Sequence, residues 1–511
     1  MIKIHSFPKE SEKSSLYTVK INGATALCEF ARVSAMPFNM PWPGHQRALN
    51  QTEEAAFISF EGDETVKISV TASVPVQKAV VRPLPKKVKT SINGNTVEFS
   101  ISEYGGYVLE INGQHNALHL FYNPPRDFKS EAEKEKLSGR TVLYYGEGIH
   151  NTGNIWLESK TTVFVESGAV IKGSFAAFGK EDIKITGYGI IDGSDEIRTT
   201  DNTCSCNLNR KALKEEYFPE SFEELVALLK EGKDLNGNLR FYRCENILCE
   251  GVILKDCSCF CVIPAACNNF VVDNLKTIGM WRYNSDGIDI FNSSNVVVKN
   301  CFLRNFDDAM VIKGIYGWDF KNNENILVEN CVIWCDWGGA LEIGAETNAD
   351  EYKNITYKNC YLIHDSFGAM MRIHHHNRAD IHNVTYENIH CEFCVDQMAP
   401  VFQKNDDEVY VDTPNTYQPY IFNMFQNSDH FYGRKNDDAR GPIRDIYFKN
   451  IYLYIEDGVM PMPQICMIGI SESACVKNIN LENFYINGKK VEDISELNPE
   501  IEGFVSDISL K

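Results

Sequence analysis

Alternation of apolar and polar positions dominates the first quarter of the chain. Runs such as Tyr17–Ile21, residues 65–70 and Thr96–Ile101 place apolar side chains at every second position, and the pairs Asn22-Gly23 and Asn93-Gly94 stand between such runs. A period of two broken by tight turns predicts half-buried antiparallel strands. Several in succession predict a β-sandwich over residues 1–135. Pro124-Pro125 and the charged run 129–136 read as a linker. The sandwich is expected to serve packing or oligomerisation, capping one end of the C-terminal domain or seating a neighbouring subunit.

From about residue 140 the pattern changes to short apolar runs closed by glycine, as in 168–173 and 187–193. A charged stretch at 205–240 interrupts them with helical spacing and a capping-box pair, Ser221 and Glu224. An internal repeat comes next, built on Asn-[Val/Ile]-x-[Val/Tyr/Leu]-[Lys/Glu]-Asn and ending at Asn300, Asn330, Asn359, Asn388 and Asn483, with a looser copy from Asp445 to Asn450 and an earlier partial one ending at Asn274. The steps are 26, 30, 29, 29, 62 and 33 residues, and the long one reads as two periods with an insertion. A period near 30 residues with two β runs and no helix per repeat predicts a right-handed parallel β-helix over residues 136–511. The fold class is therefore all-β, with asparagine ladders at the turns. Cys301, Cys331 and Cys360 fall at equivalent positions and are expected to stack as an interior column.

The second run of each coil carries the chemistry. Residues 287–290, 309–312, 340–343 and 370–373 should stack over three rung spacings, about 15 Å. That brings Asp286, Asp307, Asp308, Glu342 and Arg372 to one surface. Adjacent rungs are about 4.8 Å apart, so the aspartates crowd together, and crowding raises the pKa of one member. Such a set offers both a carboxylic acid for a leaving oxygen and a carboxylate to activate water, the two requirements of inverting glycoside hydrolysis. Loops at 314–323 and 395–441 are expected to wall the groove. Among the tryptophans, Trp281, Trp318, Trp334 and Trp337 are candidates for stacking on sugar faces, with burial the expected fate of at least half. Glu342 and Glu346 are placed to meet sugar hydroxyls or to pair with Arg372. In the run His374-His375-His376, the first and third share a face and the second points away, which does not make a three-histidine metal site.

Composition narrows the partners. A net charge of −20 argues against nucleic acid and anionic membranes, and no apolar run approaches the roughly 20 residues of a membrane span. The 17 cysteines, several in apolar runs (Cys257, Cys259, Cys261), together with an N-terminus that turns polar at once, suggest a reduced cytoplasmic setting. A homo-oligomer stays open.

Asn284-Ser285-Asp286-Gly287-Ile288-Asp289 resembles the Asn-Thr-Asp-Gly-Ile-Asp motif of the polygalacturonases, glycoside hydrolase family 28. Residues 306–312 are similar to that family's Gly-Asp-Asp-Cys-Ile-Ala-Ile, residues 338–344 to its Gly-His-Gly-Leu-Ser-Ile-Gly, and Arg372-Ile373-His374 to its Arg-Ile-Lys. The resemblance covers about 140–485, and a sandwich ahead of such a β-helix also resembles the dextranase and isopullulanase family, glycoside hydrolase family 49. It implies a pectin-lyase-like fold and inverting hydrolysis without metal or other cofactor. Asp307 would be the general acid, Asp286 and Asp308 would activate water, and Arg372 would bind the sugar, joined by His374, Glu342, Trp318 and Trp337. Two departures stand out. Gly339 replaces the motif histidine, so a supporting imidazole would come from His364 or His374. His374 replaces the lysine that meets a galacturonate carboxylate, as a weaker and pH-dependent cation. A neutral α-glycan is then as well supported as a galacturonide. The alternatives are a polysaccharide lyase or epimerase using calcium at the acids, and a non-catalytic glycan-binding β-helix.

Overall fold

The computed structural model describes residues 2–35, 38–39, 49, 52–196, 237–282, 284–315, 321–366, 368–396, 401–402, 418–426 and 439–511. The helical reading of 205–236, and Trp318 with most of the loops at 314–323 and 395–441, fall outside these residues.

Two sheets make up the N-terminal part. One joins Thr52–Glu61 in parallel to Leu118–Asn123, with Ala56 opposite Leu118. The other pairs Tyr17–Ile21, Val66–Ala72 and Thr96–Ile101 antiparallel. Their facing side chains form one core, Val19, Val70 and Val97 against Ile58, Leu109 and Leu120. The first sheet is apolar on its other face as well, where Phe57, Val108 and Phe121 meet Ile253, Phe302, Val332 and Trp334 of the β-helix coils. That second face seats the sandwich along the flank of the solenoid rather than over one of its ends. Buried ion pairs fix the seat: Arg82 bridges Glu110 and Glu392, each nearly excluded from solvent. The charged run 129–136, read as a linker, lies within a helix, Phe128–Leu137, capped by Asp127, whose carboxylate accepts from the Ser130 amide. Phe128 and Ala132 bury one side of it.

Among the described residues, thirty strands from Thr141–Tyr145 to Val505–Leu510 form the continuous sheet of a right-handed parallel β-helix. Apart from Lys489–Lys490, which folds back antiparallel on Val476–Ile486, the strands pair in parallel with their counterparts on adjacent coils, so inward side chains stack in columns of Val, Ile, Leu and Cys. Cys301, Cys331 and Cys360 form the interior column that the spacing predicts. The 62-residue step differs from expectation. Glu387 lies opposite Lys449 and Ile389 opposite Ile451, so Asn388 and Asn450 sit on adjacent coils and the step is one long coil. Within it, Tyr420–Gln426 pairs with Met371–His375 and extends the acid-bearing sheet.

The asparagines explain why each coil turns where it does. Both ends of the motif adopt left-handed backbone, with φ of 56° at Asn295 and 57° at Asn300, Asn325 and Asn330. Asparagine enters that region more readily than other residues with a Cβ. Each side-chain amide then donates to the previous coil: Asn325 to Asn295 at 3.2 Å, Asn354 to Asn325 at 3.0 Å, Asn359 to Asn330 at 3.2 Å and Asn388 to Asn359 at 2.7 Å. Two ladders therefore run the length of the repeat. Asn330→Ala loses the left-handed preference and two ladder bonds, and is expected to cost about 2–4 kcal/mol in urea unfolding. Asn330→Gly keeps the backbone freedom and should cost less.

Candidate active site

The in-register stack of the second runs holds as predicted. Ile288, Met310, Leu341 and Met371 lie opposite one another through successive pairings, and so do Asp289, Val311, Glu342 and Arg372. The first column points inward, the second into the groove. The acids ahead of these strands are placed by their own turns. Asn305 holds the turn of Asp286 by donating to the Ser285 carbonyl at 3.1 Å, and it accepts from Thr277 Oγ1 at 2.7 Å. The amide of Asn284 donates to Asp307 Oδ2 at 3.3 Å, and the amide of Asp308 to Asp307 Oδ1 at 3.0 Å. Gly338 and Gly339 cross above these acids. A Cβ on Gly338 would lie 2.2 Å from the Asp308 amide nitrogen, so only glycine allows the approach, and the Gly339 amide donates to Asp308 Oδ1 at 3.1 Å.

Asp286, Asp307 and Asp308 are 1%, 6% and 8% exposed, and one oxygen of each lies within 4.8 Å of the others. Such a set has the donors for a divalent cation. Lys313 already supplies positive charge there, its Nζ 3.0 Å from Asp286 Oδ2, 3.0 Å from Asp308 Oδ2 and 3.5 Å from Asp289 Oδ1. These carboxylates hold its pKa well above the usual lysine value, against the pull of burial. Sequence reasoning assigned no role to Lys313 or Asp289. The signal was present: Val311 and Lys313 alternate onto the face that Asp289 shares, and a lysine closing a buried apolar run needs acidic partners.

Five carboxyl groups, Asp286, Asp289, Asp307, Asp308 and Glu342, share this site with two cations, Lys313 and Arg372. Burial disfavours the charged form of every member, and which of them stays ionised depends on its share of the two cations. Burial, then the neighbouring Asp308, push Asp307 up to about 7, with Lys313 opposing. For Asp308 burial acts upward but is outweighed by Lys313, a hydrogen bond from Glu342 and Arg372, so its pKa lies below the usual value. Burial raises Asp286, Asp289 and Glu342 well above the carboxylate range. An acid thus stands beside an ionised base in one sequence pair.

The remaining predicted contacts divide. Arg372 is half-buried, with Nη1 3.4 Å from Glu342 Oε2 and Nη2 3.3 Å from His374 Nδ1. His374 stacks on Phe425 at 4.2 Å and bonds to His376. Burial, then Arg372 and His376, push its pKa well below the usual histidine value, which corrects the expectation of a pH-dependent cation: this imidazole is neutral. His375 turns inward, to Thr347 Oγ1 at 2.7 Å, as the alternation predicts. His364 does not serve the site. Its Nε2 lies 2.5 Å from Glu110 at the sandwich interface, and its ring packs on Trp334. Of the tryptophans, Trp334 is buried under the sandwich against Arg304, and Trp281 is buried and donates to Asp256 at 2.9 Å. Trp337 is half-buried and stacks on Phe306, the residue before Asp307, with ring centroids 5.8 Å apart.

Residues 132–402 match the family described as glycosyl hydrolases family 28. A dextranase of Arthrobacter globiformis is 22% identical over 207 residues, 39% of this chain and 29% of that protein. The chain therefore spans under a third of that relative's length. The structure of Dex49A from Penicillium minioluteum superposes with a TM-score of 0.58 at 13% identity, covering 99% of this chain and 96% of the other. The polygalacturonase of Erwinia carotovora ssp. carotovora gives a TM-score of 0.48 at 15% identity, over 72% of this chain and 89% of that one.

Proposed function

Because the chain belongs to glycosyl hydrolases family 28, a family of glycoside hydrolases, we propose that it cleaves O-glycosidic bonds of an oligo- or polysaccharide with inversion. The carrying observation is the pairing of Asp307, proton-bearing up to about pH 7, with the ionised Asp308 beside it. Asp307 donates its proton to the leaving oxygen. Asp308 takes the proton of the attacking water, and Asp286, across Lys313, holds that water. Arg372 and Trp337 position the sugar. The acids approach more closely than the roughly 6.5–9.5 Å between carboxyl groups usual for inversion, so inversion rests here on the family. Proton NMR of the first product checks it: the released anomer should be opposite to that of the substrate, and retention would overturn it.

A neutral glycan suits the site better than a galacturonide, because His374, standing where the family motif has its lysine, carries no charge. Reducing-sugar release should be found on α-glucans or related neutral oligosaccharides and be weaker on oligogalacturonides. The calcium-dependent lyase reading is less favoured, since Lys313 Nζ stands at the carboxylates such an ion would need. The fifteen described cysteines have no disulfide partner, which supports a reducing compartment.

The pH dependence arises from the same groups. Activity should fall above about pH 7 as Asp307 loses its proton, and fall on the acid side only below the ordinary carboxylate range, where Asp308 gains one. A kcat/KM profile flat through pH 9 would contradict Asp307 as acid.

A further inference from the structure

We propose that Glu342 is a neutral positioning residue, which donates a hydrogen bond to Asp308 while keeping its proton and occupies the space a side chain at position 339 would take, so that Asp308 stays the base and Asp307 the acid. The inference rests on the hydrolase reading above and adds the group that keeps the two aspartates unequal. A Cβ on Gly339 would lie 2.2 Å from Glu342 Oε2 and 3.0 Å from its Cβ, so a side chain at 339 and the carboxyl of Glu342 exclude each other. The chain has the glutamate. The carboxyls of Glu342 and Asp308 both meet Gly339, Asp308 Oδ1 at its amide and Glu342 Oε2 where its Cβ would be, and two carboxyls paired side by side need a proton between them.

The surroundings decide which one holds it. Asp308 receives Lys313 Nζ at 3.0 Å and the Gly339 amide at 3.1 Å, donors that favour its ionised form. Glu342 is 1% exposed and, among the described residues, its nearest cation is Arg372, with Nη1 at 3.4 Å, beside the neutral His374 at 3.8 Å. Lys313 from the preceding coil lies further off and acts on it only through charge. Tyr357, from the next strand of the coil, donates to its backbone oxygen at 3.4 Å and leaves the carboxyl untouched. The proton therefore sits on Glu342. Glu342 touches neither the bond to be broken nor the water, and acts through Asp308.

Glutamine and alanine variants test this. Glu342→Gln keeps a neutral donor to Asp308 and an acceptor for Arg372, so kcat should stay within about threefold of wild type with an unchanged pH profile. Glu342→Ala removes the donor, so kcat should fall at least tenfold and the acid limb move up by about one pH unit. If Glu342 were an ionised partner of Arg372, the glutamine variant would lose as much as the alanine variant, mainly in KM, and the proposal would be overturned. A readout independent of turnover is the infrared difference spectrum of wild type minus Glu342→Gln at neutral pH, which should contain a protonated-carboxyl C=O band; a carboxylate band in its place would also overturn it. No turnover by the wild-type protein on any glycan would instead remove the hydrolase reading, and the infrared result would still report where the proton lies.

Discussion

Replacing Asp307 by Asn is expected to lower kcat on natural glycosides by about 10²–10⁴-fold, the usual contribution of a general acid, with thermal unfolding nearly unchanged. The carboxyl is already neutral below about pH 7, so a neutral amide of the same shape alters little of the local charge. It keeps one acceptor for the Asp308 and Asn284 amides and loses the other, a small cost because the Asn284 contact is long at 3.3 Å. The sign of the pH effect separates function from folding. A carboxyl that binds its proton more tightly folded than unfolded weakens the fold as pH rises from the ordinary carboxylate range to about 7. The Asn variant lacks this loss, so its stability relative to wild type should be higher at pH 8 than at pH 4. Circular dichroism melts at the two values check it.

Lys313→Met should have the larger effect on the fold. The ammonium is the cation that Asp286, Asp289 and Asp308 share, and its side chain is 7% exposed. Removing one partner of a buried charge set leaves the others uncompensated, at a cost of about 3–5 kcal/mol. The folded lysine pKa lies above its unfolded value, so the wild-type contribution is fully present through the neutral range and is lost only at strongly alkaline pH. In the variant Asp308, the carboxylate left without its cation, protonates as pH falls. The deficit should therefore be greatest near pH 8 and shrink towards pH 5, measured by urea unfolding at both. A deficit independent of pH would mean that lost packing against Phe260, 4.9 Å from Nζ, outweighs charge.

The fold was legible where backbone constraint leaves a chemical trace. Asparagines at both ends of each motif sit in left-handed turns that few residues tolerate, so their recurrence marks the coils. The same signal misled at 388–450, because an insertion inside one coil adds length without adding a turn. How the sandwich would sit could not be read, since the strands that seat it are apolar on both faces and alternation does not say which face meets which partner. The three aspartates were legible because two clusters one coil apart are rare on a solenoid. Lys313, in plain view at the end of its run, gains meaning only when register shows three carboxylates around it. His364 faces Glu110 across the sandwich interface, which coil spacing does not reveal, and the charge of His374 depends on burial, which spacing does not report. Gly339 signalled a missing imidazole, and only the structure shows Glu342 in its place.

Catalysis turns on Asp307 as the acid and Asp308 as the base, and leaving-group dependence tests that division most directly. An aryl glycoside with a strongly acidic phenol needs no proton to depart but still needs activated water. Asp307→Asn should therefore regain most of its kcat on such a substrate relative to a natural glycoside, while Asp308→Asn stays impaired on both. Equal impairment of Asp307→Asn on the two substrates, or rescue of Asp308→Asn instead, would contradict the assignment.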